Sequence, residues 1–524
     1  MISQPIQPVP PCRQRLRRVA TALLLACLCA CAPLLPREPH QSEAALPAAR
    51  SGSIADGVAQ LQLQAGQSSY RLVHSNQDAL ALQLQTARLS STSLDLLYYM
   101  WLNDRSGRLL ASELLRAADR GVRVRMLIDD NYVRHLDHDL AALDQHANIE
   151  LRVYNPYRTR RSSLGNVFEF VFSGFRLNHR MHNKAWIADG QVAIVGGRNV
   201  GDEYYGVGTA FAFRDLGVLL IGAAAHQASV GFDDYWNSTI VIPLEQLPDQ
   251  RPVPNLDSAR QALEADRAVT LDQDAFQSAL NADTLRADAV SGARRFIGER
   301  VSVLIDPPDK WKQRDDHLIG VAADLRSMID QARQEVILIS PYFVPGGKGL
   351  RWLKALRARG VRIRVLTNSL NATDVAAVHG GYARYRRALL RAGVEIHELK
   401  RFTVGRLESP FRGSSRASLH TKAVIVDGRS AFVGSFNLTP RSTWINTEMG
   451  VRIDDADFAA GVRSHFEQNL LPQYSYRLSL ERNRLVWTDV QNGQPRRQFR
   501  EPTSSWSRRI IAFLARVLPV ERHL

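Results

Sequence analysis

The chain has 524 residues with 45% apolar and 8% aromatic content, enough to bury a large core over more than one domain, so it reads as globular. A net charge of +15 and a pI near 9.9 favour a polyanionic partner, and nucleic acid, an anionic lipid surface and a phosphorylated small molecule all fit. All four cysteines, Cys12, Cys27, Cys29 and Cys31, lie at the start of the chain, which excludes an internal disulfide, a thiolate metal site and a cysteine nucleophile in the body.

The first segment reads as an export signal. A basic stretch with Arg13, Arg15, Arg17 and Arg18 precedes the apolar run Val19 to Ala32, shorter than the roughly 20 residues of a membrane span. Leu24-Leu25-Ala26-Cys27 and Leu28-Cys29-Ala30-Cys31 both look like a lipobox, whose cysteine is lipidated and becomes the mature N-terminus; an uncleaved anchor is the alternative. Either way residues 1–31 are expected to hold the protein at a membrane, lipid-anchored in the cell envelope and facing the periplasm. Residues 32–54, rich in Pro, Ala and Ser, read as a tether, with the folded body from about residue 55.

A repeat organises the body. Gly121-Val122-Arg123-Val124-Arg125-Met126-Leu127-Ile128 recurs, at an offset of 239, as Gly360-Val361-Arg362-Ile363-Arg364-Val365-Leu366-Thr367. Each copy follows a helix-period segment, Leu109 to Asp119 and Leu350 to Arg359, and before that an apolar strand, Ser93 to Trp101 and Glu335 to Val344. The order strand, helix, glycine stop, strand predicts a βαβ unit with a right-handed crossover in a parallel or mixed sheet. We therefore expect an α/β fold of two halves, residues 55–243 and 301–500. A connecting segment, 244–300, has weak apolar patterning, and 501–524 form an amphipathic C-terminal segment.

His182-Asn183-Lys184-Ala185-Trp186-Ile187-Ala188-Asp189 has the pattern H-x-K-x4-D, and His420-Thr421-Lys422-Ala423-Val424-Ile425-Val426-Asp427 repeats it at an offset of 238, one residue from that of the strands. Strand alternation puts His182 and Lys184 on one face, and likewise His420 and Lys422. Only 7 of the 67 basic residues are lysine, so two in matched motifs point to chemistry. Asp189 and Asp427 enter the candidate catalytic set as part of the motif, although each opens an Asp-Gly turn where it would hold the turn. Each hairpin ends in small residues and an asparagine, Gly196-Gly197-Arg198-Asn199 and Gly434-Ser435-Phe436-Asn437, suited to close approach of a phosphate. Asp215 and Glu448 take corresponding positions, where an acid can fix a histidine tautomer; within each half, the stretch from His182 to Asp215 is somewhat longer than that from His420 to Glu448. Two histidines with two lysines suit displacement at a phosphodiester without a metal or other cofactor. One neutral imidazole attacks phosphorus, the other as imidazolium protonates the leaving oxygen, and the lysines and asparagines stabilise the equatorial oxygens.

These two motifs, each followed by G-[GS]-x-N, resemble the phospholipase D superfamily. Within it the chain is similar to bacterial cardiolipin synthases of the C type over roughly residues 60–524. That resemblance rests on Leu96 to Trp101, Arg176 to Lys184, Asn368-Ser369-Leu370 with Asn371 and Asp374, His379 to Arg384, and Gly434 to Met449. It implies two pseudo-twofold-related α/β halves, each a mixed central sheet flanked by helices, with one active site between them and no metal. Carried over, the family chemistry falls on His182, Lys184, Asn199, His420, Lys422, Asn437 and Glu448, with His182 as nucleophile and His420 as acid and base; the reverse assignment stays open. The implied reaction moves a phosphatidyl group from phosphatidylglycerol, or phosphatidylethanolamine as the alternative donor, to phosphatidylglycerol, giving cardiolipin; water instead would give phosphatidic acid. A nuclease shares this chemistry, but the export signal points to lipid rather than nucleic acid. The lipobox-like start departs from the family. Trp506, Ile510, Phe513, Leu514, Val517 and Leu518 recur at helical spacing beside Arg508, Arg509 and Arg516, as in a helix lying on an anionic membrane surface, or else one docked on the body. Tyr382 and Arg384 read as headgroup contacts or as a solvated face.

Overall fold

A computed structural model describes residues 42–133, 141–157, 176–207, 212–247, 255–271, 296–312, 317–403, 416–491, 493–518 and 521–524. The export signal and the first part of the tether lie outside the described residues, as does 272–295 of the connecting segment. No helix among the described residues is long and apolar enough to cross a membrane.

The first half carries β1 (Ser68–Val73), β2 (Ser93–Tyr98), β3 (Arg123–Asp129), β4 (Ile149–Tyr154), β5 (Ala185–Ala188), β6 (Val192–Gly196), β7 (Ala212–Arg214), β8 (Gly217–Gly222), β9 (Val241–Pro243) and β10 (Phe296–Gly298). The second carries β11 (Val301–Ile305), β12 (Glu335–Ile339), β13 (Arg362–Asn368), β14 (Glu395–Leu399), β15 (Phe402–Thr403), β16 (Arg416–Leu419), β17 (Ala423–Val426), β18 (Ser430–Gly434), β19 (Met449–Ile453), β20 (Ser475–Glu481), β21 (Arg484–Gln491) and β22 (Gln494–Gln498). Among the described residues, one sheet runs β10-β1-β8-β6-β5-β2-β3-β4-β9 and the other β11-β19-β18-β17-β12-β13-β14-β20-β21-β22. The run β1-β8-β6-β5-β2-β3-β4 thus matches β11-β19-β18-β17-β12-β13-β14 strand for strand, which is the pseudo-twofold repeat. In both, the strands joined by the crossover helix, β2 with β3 and β12 with β13, pair in parallel, and the H-x-K hairpin pairs antiparallel beside them.

Alternation along these strands explains why they are apolar on both faces. In β2, Leu94, Leu96 and Tyr98 pack under the first half's own helices while Leu97 faces the other half; in β12, Val336 and Leu338 face outward and Ile337 and Ile339 inward. The inward faces share one core, with Val195 and Val218 from one sheet meeting Val433 and Val451 from the other. A third, small sheet crosses between the halves, where β7 pairs in parallel with β16.

Three expectations change. The tether does not run free to residue 55: Glu43 N donates to Asn237 Oδ1 at 2.8 Å, the Glu43 carboxylate meets Arg152 at 2.5 Å, and Ala49 N donates to Asp189 O at 3.1 Å. The connecting segment contains a helix, Leu256–Leu271, that lies on helix Arg105–Asp119 through Arg260–Asp119 and Arg267–Glu113 ion pairs, so charge accounts for much of its seating and apolar patterning missed it. Tyr382 is buried, its hydroxyl donating to Glu398 at 3.0 Å, which removes it from both a headgroup role and a solvated face.

Candidate active site

The histidines sit just before their hairpins, where each half's chain crosses to the other. Met181 bridges Thr447 in parallel, with Thr447 N donating to Arg180 O at 3.0 Å and His182 N to Thr447 O at 2.9 Å. Leu419 pairs with Arg214 in parallel, and His420 N donates to Arg214 O at 2.8 Å. One residue further in each register come Glu448 beside His182 and Asp215 beside His420. His182 Nδ1 lies 2.8 Å from Glu448 Oε2, and His420 Nδ1 lies 2.5 Å from Asp215 Oδ2. The acid of each half therefore holds the histidine of the other, not its own. With Nδ1–H donated to a carboxylate, each ring keeps Nε2 as its lone-pair nitrogen.

Lys184 Nζ donates to His182 O at 2.6 Å and Lys422 Nζ to His420 O at 2.5 Å, and both lysines are buried. The Tyr99 ring lies 5.1 Å from the His182 ring and 5.1 Å from Lys184 Nζ, while Tyr204 and Phe213 stand 5.2 and 4.9 Å from the His420 ring. Burial, reinforced by the lysines, pushes both imidazoles down to about 4 against the opposing pull of their carboxylates. Each histidine also feels the lysine of the other motif, so the four side chains share one site. Burial lowers Lys422 to about 8 and drives Lys184 down as well. On Asp215 burial works the other way, yet His420, Lys422 and Arg198 outweigh it and hold the carboxyl at about 2; Glu448 is likewise lowered, by His182 and Lys184 against its burial. The pairs at neutral pH are neutral imidazole and carboxylate.

The G-[GS]-x-N turns face these acids. Ser435 Oγ donates to Glu448 at 2.5 Å and Ser442 Oγ at 2.6 Å. At the matching Gly197 a Cβ would come within 2.5 Å of Asp215 Oδ1, so only glycine fits there. Asn199 donates to Tyr204 OH at 2.9 Å; its Oδ1 and that of Asn437 are buried without a hydrogen-bond partner.

Asp189 and Asp427 must be taken out of the catalytic set. They stand at the far end of β5 and β17, about 20 Å of extended chain from the histidines. Asp189 accepts from the backbone N–H groups of Ser91, Thr92 and Ser93 at 2.9–3.1 Å, and Asp427 from those of Arg333, Gln334 and Glu335 at 2.8–2.9 Å. Each fastens its hairpin turn to the chain entering the central strand.

Sequence reasoning missed the residues that hold the crossing segments. Asp129, ending β3, accepts from Met181 N at 2.9 Å and pairs with Arg180 at 3.3 Å; Asn368, ending β13, bonds both N and O of Leu419 at 3.1 and 2.9 Å. Their signal was available: Asp129 follows Ile128 and Asn368 follows Thr367, so they close the two copies of the repeated strand at the same register. Asp306 accepts from Glu448 N at 2.9 Å and from Lys310 Nζ at 2.8 Å, and Lys310 also donates to Ser442 O and Asn446 O. No repeat marks that pair, because Arg198 does the matching work in the first half, its guanidinium donating to Val73 O and Asp215 O.

A family profile described as cardiolipin synthase, PLD-like domain, matches residues 83–206 and 325–470, each block spanning one H-x-K motif. The chain is 39% identical over 452 residues to cardiolipin synthase C of Escherichia coli (strain K12), covering 85% of this chain and 93% of that one. It is 25% identical over 409 residues to the major cardiolipin synthase of Bacillus subtilis (strain 168), covering 77% and 69%. The crystal structure of a phosphatidylserine synthase from Haemophilus influenzae shares the fold, with a TM-score of 0.53 at 15% identity over 81% of this chain and 92% of that one. A profile matching both halves, and a relative this similar over most of both chains, identify the chain as a member of the phospholipase D-like cardiolipin synthase family.

Proposed function

We propose that the protein is a phosphatidyltransferase that makes cardiolipin from a phospholipid donor and phosphatidylglycerol, working at a membrane of the cell envelope. The observation that carries this reading is the crossed pairing: two imidazoles, each oriented by a carboxylate from the opposite half, share one site with two buried lysines.

His182 Nε2 attacks the donor phosphorus, forming the P–N bond of a phosphatidyl-histidine as the P–O bond to the headgroup alcohol breaks. His420, as imidazolium, gives its Nε2 proton to that leaving oxygen. The neutral His420 then takes the proton of a phosphatidylglycerol hydroxyl, whose oxygen attacks phosphorus and expels His182. Both histidines, lowered to about 4, are neutral before substrate arrives, which suits the nucleophile. The arriving phosphodiester anion raises proton affinity beside His420, and the 2.5 Å bond to Asp215 steadies the resulting imidazolium. This asymmetry supports His420 as the proton carrier. Lys184 and Lys422 supply positive charge for the equatorial oxygens, and no step calls on a metal.

Incubating the purified protein with isotope-labelled phosphatidylglycerol in mixed micelles, with and without EDTA, tests this by lipid mass spectrometry. Cardiolipin and free glycerol are expected in equal amounts, unchanged by EDTA. Phosphatidic acid alone would make the protein a hydrolase, and DNA cleavage without lipid turnover would sink the reading.

A further inference from the structure

The C-terminal helix, Trp506–Val517, is docked on the body by one narrow side and leaves a broad apolar face uncovered. Arg508, Ala512 and Ala515 fall within about 60° of the helix circumference and form the docked side. Ala512 packs on helix Ala376–Ala383, where a Cβ at Gly380 would lie 2.2 Å from Ala512 O, so glycine is what lets the backbones approach. Arg508 Nε donates to Leu370 O at 3.0 Å and its Nη2 to Thr373 O.

The opposite side carries Trp506, Ile510, Phe513, Leu514 and Val517 in one stripe, widened by Ile511 and Leu518. Trp506 is 79% exposed, and Phe513 and Val517 each 63%. Seven of the sixteen exposed large apolar side chains among the described residues lie on this helix and its C-cap, a concentration that ordinary surface scatter does not produce. Arg509 and Arg516 border the stripe on one edge, and no Asp or Glu occurs from Trp506 to Leu518.

The helix also sits beside the catalytic centre. Ser418 Oγ donates to Ala372 O at 2.9 Å, within the segment Arg508 grips, and Asn368 holds Leu419, the residue before His420. Asp374, next along, accepts from Tyr342 OH at 2.6 Å and lies near enough to Lys422 to act on its charge.

We propose that this face is a membrane-docking surface whose occupant is an anionic phospholipid bilayer, with the helix lying in the interface on the side of the body that carries the His420 segment. The proposal rests on the phospholipid reading for the nature of its partner. At about 1.5 Å per residue the helix is roughly 18 Å long, short of the roughly 30 Å hydrocarbon core, so it lies along the surface. The arginine edge complements anionic headgroups and offers a second copy of the helix no carboxylate to pair with.

Flotation of the chain without residues 1–31, whose apolar run would itself bind lipid, with vesicles of phosphatidylcholine, or of phosphatidylcholine and phosphatidylglycerol in equal parts, provides the test. Wild type should float with the anionic vesicles. The triple variant Ile510→Glu, Phe513→Glu, Val517→Glu should lose about tenfold or more of that binding, and Arg509→Glu with Arg516→Glu should remove the preference for anionic lipid. All five side chains are solvent-exposed, so melting temperature checks the fold; if the triple variant melts early, Phe513→Ser alone is read instead, at about threefold. Unchanged flotation of the folded variant would overturn the proposal. So would a wild-type dimer that the variant converts to monomer while vesicle binding persists, since the face would then serve a second copy. Flotation needs no turnover: a chain that binds vesicles through this helix but transfers no phosphatidyl group upholds the docking surface and sinks the reaction.

Discussion

The two acid–histidine pairs occupy equivalent places in a duplicated frame, yet they are supported differently. Glu448, which holds His182, receives two hydroxyls, from Ser435 and Ser442, and its backbone N–H is fixed by Asp306 with Lys310 behind it. Among the described residues, Asp215, which holds His420, receives beside the imidazole only the Leu216 N–H at 2.8 Å, with the Arg198 guanidinium on its backbone carbonyl. Hydroxyls drain negative charge from Glu448, whereas Asp215 directs more of its charge at His420 through a shorter bond. A symmetric backbone thus carries an asymmetric pair, in keeping with one histidine bonding to phosphorus and the other moving protons.

The largest effect should come from removing the rings. His182→Ala and His420→Ala are each expected to lower kcat/KM by about 10⁴-fold or more on natural lipid. A phosphatidyl ester of p-nitrophenol, whose leaving group needs no proton, separates the roles. His420→Ala should still release a burst of p-nitrophenol and His182→Ala none; the opposite pattern would exchange the assignments. Next come the turns. Ser435→Gly removes one hydroxyl from a charged acceptor, about 1.5–3 kcal/mol, and should cost roughly 10- to 100-fold in kcat. Gly197→Ser at the equivalent position drives a Cβ into the Asp215 carboxylate and should cost more. Equal losses would mean that the two acids are not differently held.

The βαβ order and the repeat were legible because glycine stops and apolar runs are local signals, and the sheets follow them strand for strand. The H-x-K motifs were legible for the same reason. The crossing was not. Spacing counted within each half, from His182 to Asp215 and from His420 to Glu448, gave no sign that Glu448 turns to His182 and Asp215 to His420. That pairing is set by backbone bridges, Met181 with Thr447 and Leu419 with Arg214, which join segments belonging to opposite halves of the chain. Asp306 and Lys310 were invisible for a related reason: only the second half uses them. The helix Leu256–Leu271 went unseen because arginine–carboxylate pairs share in seating it, and such pairs leave little apolar period to read.

A smaller, graded effect is expected from pH. With His182 lowered to about 4, the nucleophile stays neutral well below the ordinary imidazole range, so on the p-nitrophenyl ester, which needs no proton from His420, kcat/KM should hold down to about pH 5. Lys422, at about 8, is charged below that value and neutral above it, so kcat/KM should fall by up to about tenfold per unit above pH 8. A profile with its acid limb near 6.5 would contradict the burial of the His182 ring. Stability follows the same signs. The unfolded chain protonates these histidines near 6.5 and the folded chain only near 4, so the unfolding free energy from urea titrations should drop as pH falls between those values, by about 1.4 kcal/mol per unit for each ring. Asp215 works lower: its contribution is complete above its ordinary value and is lost as pH falls toward 2.

The least effect on chemistry should come from the two turn aspartates, and here the halves differ again. Both take positive φ, 53° at Asp189 and 52° at Asp427, which Asp tolerates better than most residues. Asp189 is buried and also accepts from the hydroxyls of Ser91 and Thr92, each at 3.0 Å, while Asp427 is partly exposed and, among the described residues, accepts from backbone donors alone. Asp189→Ala should therefore lower stability by about 3 kcal/mol or more and Asp427→Ala by about 1–2 kcal/mol, the latter eased by water reaching the freed amides. Below the melting temperature of each variant, kcat should stay within about twofold of wild type, because these carboxylates hold the outer end of the hairpin while the histidines are held by the opposite half. A loss of kcat comparable to that of the histidine variants, in protein that melts normally, would return the aspartates to the catalytic set.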